Sequence, residues 1–330
     1  MRTHFSSITL LLIISLFALS LAACGKGTNT ESTAGTPAPA TGASASSSAA
    51  PTAKADGPIT IQDASGTLVL PKKPERVVAM EFSFTDILVS LGVKPVGVAD
   101  DGDASLMMDS VKALLPTYTS VGSRYEPNIE LISSLKPDLI IVDINKHKNA
   151  IAQLKGIAPV LVLDDYMANY DQMLKNVTLI GKAVGKEDEA TKRLAEHQTK
   201  VETLKKKLNA SGAKVLPAVV NPKGFFAHSD HAYSGSFLAM LGYVDPVKND
   251  AAYPQITLEQ LVEANPQALF LLPTDKVTIV QEWEKNPLWA KIDAVKNNKV
   301  YTVERRDWSL SRGLLGSEKM LDDLVKNMGQ

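Results

Sequence analysis

The chain has 330 residues, a formal net charge of −1 and a single cysteine, with 45% hydrophobic and 22% charged residues. A near-neutral balance without a basic stripe excludes nucleic acid as a partner class, and one thiol excludes an intramolecular disulfide. The length exceeds what one core comfortably holds, so two lobes are expected.

Arg2 precedes an apolar run, Ile8 to Ala23, too short and too early for a working membrane span. It reads as the core of a secretory signal, making residues 1–23 a signal peptide. The run ends Leu21-Ala22-Ala23-Cys24, followed by Gly25, the small-residue pattern a lipoprotein signal peptidase accepts ahead of a cysteine. Cys24 is therefore expected to be lipidated, placing the protein at the outer face of the cytoplasmic membrane. Residues 24–56 are mostly Ser, Thr, Ala, Gly and Pro. Such a segment buries too little to offset its conformational entropy and is expected to be a disordered tether.

Beyond the tether, short apolar runs alternate with amphipathic stretches. Strands are predicted at Arg76–Met80, Pro95–Ala99, Asp138–Asp143 and Val160–Leu163, then at Val215–Val220, Ala268–Leu272 and Val300–Val303. Helices are predicted at Thr85–Leu91, Ile129–Leu135, Lys148–Lys155 and Tyr170–Val184, then at Gly235–Leu241, Leu258–Ala264 and Gly316–Lys326. The alternation argues for an α/β fold with largely parallel sheets. Between the groups, Glu187 to Asn209 is polar, free of Pro and Gly, and carries Leu194, Val201, Leu204 and Leu208 on one helical face. It would span roughly 35 Å at ~1.5 Å per residue. A helix connecting two lobes fits its position; a peripheral helix of one lobe is the other reading. The divisions expected are an N-terminal lobe over residues 57–186, the connecting helix over 187–210 and a C-terminal lobe over 211–330.

An internal echo supports two similar lobes. Glu130 and Glu259 each open a short amphipathic helix, and each is followed seven residues later by Pro137 or Pro266 and then an apolar strand. Any helix–strand unit with an acid at its start has this form, so the echo alone is only moderately specific.

Several segments together resemble the iron-siderophore substrate-binding proteins of ABC importers, most closely the ferric-citrate-binding members. They include Pro74-Glu75-Arg76-Val77-Val78, Glu81-Phe82-Ser83-Phe84-Thr85-Asp86, Leu91-Gly92-Val93-Lys94-Pro95-Val96-Gly97, Val121-Gly122-Ser123-Arg124-Tyr125-Glu126-Pro127 and Leu135-Lys136-Pro137-Asp138. Ser234-Gly235-Ser236, Asn286-Pro287-Leu288-Trp289, and Trp308 followed by Arg312-Gly313 extend the match through the second half. The resemblance implies two three-layer α/β lobes joined by a single long backbone helix, the class III architecture, with a ligand between the lobes. It also implies a non-enzymatic monomer without cofactor that docks on an ABC permease dimer through one carboxylate per lobe, here Glu130 and Glu259.

Ferric citrate carries several negative charges, and planar guanidinium groups suit its free carboxylates. Arg124, in the loop before the Glu130 helix, and Arg312 are the first candidates, with pairing to Glu126 the alternative for Arg124. Trp308 is expected either to line the cleft or to lie in the core. One of Arg305 and Arg306, after a strand, should face the ligand. Lys146 and His147 follow the strand Asp138–Asp143, where open α/β sheets bind ligands, unless they form a solvated turn. His228 and Tyr233 are candidates for touching the chelate, and Ser83 and Phe84 follow the first strand. His228-Ser229-Asp230-His231 lacks the further ligands of a direct metal site. No phosphate loop, dinucleotide fingerprint or nucleophile elbow supports an enzyme. The alternatives are a haem or corrinoid binder, with Met80 or His228 as axial ligand, and a hydroxamate-siderophore binder.

Overall fold

A computed structural model describes residues 57–115 and 117–329; the N-terminal apolar run, Cys24 and the expected tether lie outside them. Among the described residues no helix is long and apolar enough to cross a membrane. They begin with an antiparallel hairpin, β1 (Ile59–Asp63) and β2 (Gly66–Leu70). The first sheet comprises β3 (Val77–Ala79), β4 (Gly97–Val98), β5 (Thr119–Ser120), β6 (Leu139–Asp143) and β7 (Val160–Leu163), all parallel in the order β5-β4-β3-β6-β7. Its helices are α1 (Phe82–Ser90), α2 (Asp109–Leu114), α3 (Ile129–Ser134), α4 (Ile151–Lys155) and α5 (Tyr170–Ala183).

The apolar runs become strands because both faces of this sheet are covered, which favours continuous hydrophobic sequence. Val77, Ala79, Leu139, Ile141, Leu161 and Leu163 pack against α1 and α5. The alternate residues Val78, Ile140, Val142, Val160 and Val162 pack on the other face with Ile132 of α3 and Leu154 of α4. The period of two thus sends neighbouring side chains into two cores and creates three layers.

Helix α6 (Glu187–Lys205) leads to the second sheet, β8 (Val215–Asn221), β9 (Gly224–Ala227), β10 (Gln255–Ile256), β11 (Ala268–Pro273) and β12 (Val300–Thr302), ordered β10-β9-β8-β11-β12. Around it lie α7 (Tyr233–Leu241), α8 (Leu258–Ala264), α9 (Val280–Trp283) and α10 (Asp293–Lys296), and α11 (Leu314–Met328) ends the described chain. Val215, Ala268, Phe270 and Leu272 join the same core as the inner face of the first sheet, and Met320, Leu321 and Leu324 of α11 join it too. The two lobes are therefore connected by α6 and by a shared apolar junction. Across it, Arg193 and His197 of α6 reach Glu318 of α11 at 2.6 and 2.9 Å, and Tyr170 of α5 lies 2.8 Å from the other His197 nitrogen.

Two expectations need adjustment. The second sheet is mixed, because β9 pairs antiparallel with both β8 and β10. Asn221 makes the hairpin: its side-chain oxygen accepts from Lys223 N at 2.8 Å and Gly224 N at 3.1 Å. Helix α6 ends at Lys205, earlier than expected, which gives roughly 28 Å at ~1.5 Å per residue. Its last turn tightens, with Leu208 N bonded to Lys205 O, before Ser211 (φ 39°) and Gly212 (φ 74°) turn the chain. Leu208 still packs on the core from outside the helix.

The echo extends to backbone detail. Asn128 caps α3 by accepting from Leu131 N at 2.9 Å, and Thr257 caps α8 by accepting from Gln260 N at 3.3 Å. After each helix, the residue before the proline, Lys136 (φ 46°) or Asn265 (φ 42°), is left-handed. A residue preceding proline is kept out of the right-handed helical region, so both helices stop at the same place.

Candidate functional site

The sheets meet over a cavity of about 190 Å³ lined by Arg124, Tyr125, Lys146 and Tyr166 from one side and by Val219, Phe226, Tyr253, Arg305, Ser309, Leu310 and Arg312 from the other. Its chemistry comes from strand ends. Glu81, Asp101, Arg124, Lys146 and Asp165 each follow, within four residues, a different strand of the first sheet. Parallel strands all point their C-terminal ends the same way, so five successive loops converge on one edge. Arg305 follows β12 of the second sheet.

Three of the four cleft cations are backed by carboxylates. Asp101 accepts from Arg124 Nη2 at 2.6 Å and from Nε at 3.1 Å. Glu81, fully buried, lies 2.8 Å from Lys146 Nζ, 3.6 Å from Arg124 and 3.8 Å from Arg312. Asp165 pairs with Arg312 and also accepts from Ser83. Burial opposes the charged form of Arg312, yet Asp165 and Glu81 hold its guanidinium above the ordinary arginine range. Burial likewise works against the Asp165 carboxylate, but Arg312 and Lys146 keep it below its usual value. Burial pushes Lys146 down against the attraction of Glu81. Arg305 has no acid partner among the described residues, and burial followed by repulsion from Arg124 depresses it. Arg124 lies over the Phe82 ring at 4.6 Å, and Lys146 lies 5.3 Å from both the Tyr125 and Tyr166 rings. The cleft holds one positive charge in excess of its three carboxylates.

Asp143, at the end of β6 and wholly buried, fixes this arrangement. One oxygen accepts from Asn145 N at 2.8 Å and Lys146 N at 2.6 Å, while the other accepts from Asp165 N at 2.7 Å and Tyr166 N at 2.9 Å. One carboxylate thus sets two loops at once.

Arg124, Lys146, Arg305 and Arg312 come together at the cavity, and the rest of the expected set lies elsewhere. Arg306 turns to Asp109 of α2, 2.8 Å away, tying the lobes outside the cavity; neighbours on a turn point apart, and Arg305 faces in. Trp308 is a core residue: it stacks on Phe270 at 4.5 Å, and its indole N–H donates to Asp323 at 3.0 Å. Tyr233 is buried in the same core and bonded to Ser317, so it does not reach the cavity. Phe84 is also core, and Ser83 acts through Asp165 beneath the cleft.

His147 folds back on its own loop, its Nδ1 accepting from Asp143 N at 2.9 Å, and does not line the cavity. His228 lies behind the wall, 2.7 Å from Ser234 and edge-on to Tyr253. Burial, with Arg312 and Arg305 adding to it, drives this imidazole down to about 3, so it stays neutral. Glu130 and Glu259 are exposed, each the second residue of its helix.

Residue reading missed Glu81, Asp101, Asp143 and Asp165, together with the rings of Tyr125, Tyr166, Phe226 and Tyr253. A signal was present for the acids, since each lies at or just after a buried strand, but an isolated Asp or Glu there also fits a solvated turn.

Two α/β lobes over a charged cavity fed by strand ends define a solute-binding protein. Residues 77–306 match the family model described as "Periplasmic binding protein", and the chain belongs to that family. It is a binding protein and not an enzyme. It is 42% identical over 269 residues to the Fe(3+)-citrate-binding protein YfmC of Bacillus subtilis (strain 168), covering 81% of this chain and 85% of that protein. It is 37% identical over 268 residues to the Fe(3+) dicitrate-binding periplasmic protein FecB of Escherichia coli (strain K12), covering 81% and 89%. The crystal structure of Staphylococcus aureus SirA complexed with staphyloferrin B matches with a TM-score of 0.71 and 30% identity, covering 81% of this chain and 97% of that one.

Asp143→Ala should strand four backbone N–H groups in and around a buried site and lower stability by on the order of 3 kcal/mol, with Asp143→Asn intermediate. Urea unfolding measures it, and an unshifted midpoint would show that the two loops hold themselves.

Proposed function

We propose that the protein binds a ferric carboxylate chelate, ferric citrate first among them, in the interlobe cavity and delivers it to an ABC permease dimer. The carrying observation is the convergence of Arg124, Lys146, Arg305 and Arg312 on one cavity with fewer carboxylates than cations. Guanidinium donors not used on the resident acids suit the free carboxylates of such a chelate. The relatives named for ferric citrate support the same ligand class. Iron stays coordinated by its chelator in this reading; among the described residues no group of three His, Cys, Asp or Glu could hold a metal ion. Among the described residues no His or Met lines the cavity, which gives the haem reading no axial ligand of the expected kind. The four aromatic rings of the wall would also suit a hydroxamate chelate, and a ligand panel separates the two. At about 190 Å³ the cavity is below the roughly 300–1,000 Å³ of small-molecule sites, so loading would part the lobes across the Arg306–Asp109 pair.

Arg305 offers the cleanest test, because its removal orphans no buried acid. Arg305→Ala should weaken ferric citrate binding about ten- to a hundredfold, the loss of one buried charge-assisted contact, with unchanged unfolding. Fluorescence quenching against ferric citrate and a ferric hydroxamate measures this. Equal affinity of variant and wild type, or preference for the hydroxamate, would move the ligand assignment.

Docking is proposed to use Glu130 and Glu259, equivalent exposed acids on the two lobes that form no ion pair among the described residues. A 700 Å³ groove that includes Lys223, Trp283 and Pro287 adjoins Glu259, giving a permease loop somewhere to sit. Such charges set orientation and encounter more than affinity. Glu130→Arg with Glu259→Arg should abolish uptake of radiolabelled ferric citrate by cells while the purified variant still binds it. Normal uptake sinks the docking role.

The anchor is proposed to be a lipid on Cys24. Cys24→Ser should shift the protein out of the membrane fraction or leave the precursor uncleaved; an unaltered fraction would refute it.

A further inference from the structure

Glu81 is fully buried directly behind the cleft, and no ligand-binding role was expected of it. Three cleft cations face one of its oxygens: Lys146 at 2.8 Å, Arg124 at 3.6 Å and Arg312 at 3.8 Å. The other oxygen, Oε1, has no hydrogen-bond partner. The same three cations line the cavity, so an anionic ligand would draw on the charges that favour ionised Glu81. Two anions sharing one set of cations within a few ångströms disfavour each other's charge, and protonation relieves the one that is buried.

We infer that Glu81 is a resident counter-ion that takes up one proton from solvent when an anionic chelate enters the cleft, coupling binding to proton uptake. The inference rests on the ligand reading above and adds what the cleft does in response. Neutral Glu81 would leave Lys146, Arg124 and Arg312 to the chelate, and the unpartnered Oε1 is the place for the proton. This device favours ligands in proportion to their negative charge, since a neutral chelate would leave Glu81 ionised.

The groups facing Glu81 come from four elements. Lys146, Arg124 and Arg312 stabilise its charge, and Asp165 opposes it. Asp101 acts through Arg124, and Tyr125 lies near enough to sense it. Burial outweighs the cations and lifts the Glu81 carboxyl to about 7 in the unliganded protein. An anion beside it raises it further. Below pH 7 Glu81 is therefore protonated with or without ligand, and affinity does not change through it. As pH rises above 7, the free protein loses the proton that the complex retains, and affinity falls by up to about tenfold per pH unit.

The test is calorimetric titration of ferric citrate into wild type and Glu81→Gln, in buffers of different ionisation enthalpy, at pH 6 and pH 8. Proton terms of the chelate itself are common to both proteins and cancel in the difference. At pH 8 the wild type should take up about half to one proton more than the variant and bind several-fold less tightly, and at pH 6 both differences should close. Should the variant not fold, infrared difference spectra of wild type with 13C-labelled glutamate read the same event. A labelled protonated-carboxyl band should grow on adding ferric citrate at pH 8. Equal proton uptake, or no such band, with binding intact overturns the counter-ion role and leaves the ligand reading standing. Absence of ferric citrate binding at either pH overturns both.

Discussion

The cleft is governed by the cost of holding several cations close together away from water. An unpaired buried charge costs several kcal/mol, and four of one sign would repel each other as well. Asp101, Glu81 and Asp165 answer that by standing behind Arg124, Lys146 and Arg312. The pairs need carboxylates at the floor and cations at the rim, and the parallel sheet provides both because its strands end along one line. Ion pairs of this kind contribute little net stability, but they fix where the guanidinium donors point. Preorganised donors reduce the ordering cost that a ligand must otherwise overcome.

The cleft is also tied to the shared core. Arg312 is followed by Gly313, where an added Cβ would lie 2.4 Å from the Asp86 side chain. That space is closed because Asp86 of α1 caps α11, accepting from Leu315 N at 3.0 Å and Gly316 N at 2.9 Å. Burial lifts Asp86 to about 6, while those two backbone donors favour its charged form. The Arg-Gly pair thus has a steric reason: the first lobe grips the start of the final helix, and Arg312 leaves that grip toward Asp165. Trp308 serves the same junction from the core side by stacking on Phe270. It was a candidate for the cleft, yet the π-helical turn Arg306–Leu310 that carries it points its side chain into the core while Arg312, just beyond, faces the cavity.

In the proposed function, binding and delivery would use separate surfaces. Among the cleft charges Glu81, Asp165, Arg124 and Arg312 are buried and Asp101, Lys146 and Arg305 partly so, whereas Glu130 and Glu259 stand exposed at the starts of two helices with the same cap position and the same proline stop. Exposed helix-start acids contribute only a few tenths of a kcal/mol to folding, so these positions are free to serve an encounter. The pseudo-equivalence of α3 and α8 gives two such acids on two similar lobes. A two-fold symmetric partner can read that pair.

Local chemistry determined a good deal of this protein. Val160–Leu163 and Leu258–Ala264 have the boundaries their pattern dictates, because a four-residue buried run and an amphipathic turn between Thr257 and Asn265 leave no alternative. The two-layer covering of the first sheet follows from apolar runs without alternation, and Lys146 was legible as a cation next to a strand end, whereas Arg124 and Arg312 stood out through the family resemblance of their segments. Short strands and helices such as β5, β10, α2 and α10 were not, since two to six residues carry too little periodicity to exceed the background. The antiparallel β9 was hidden in a turn whose hairpin depends on one Asn side chain. Above all, pairing could not be read: whether Arg305 or Arg306 faces the cavity, whether Trp308 joins the core, and which acids stand behind which cations. Glu81 meets Lys146 65 residues away and Arg312 lies across the lobe boundary, and such distances along the chain are closed only by tertiary packing.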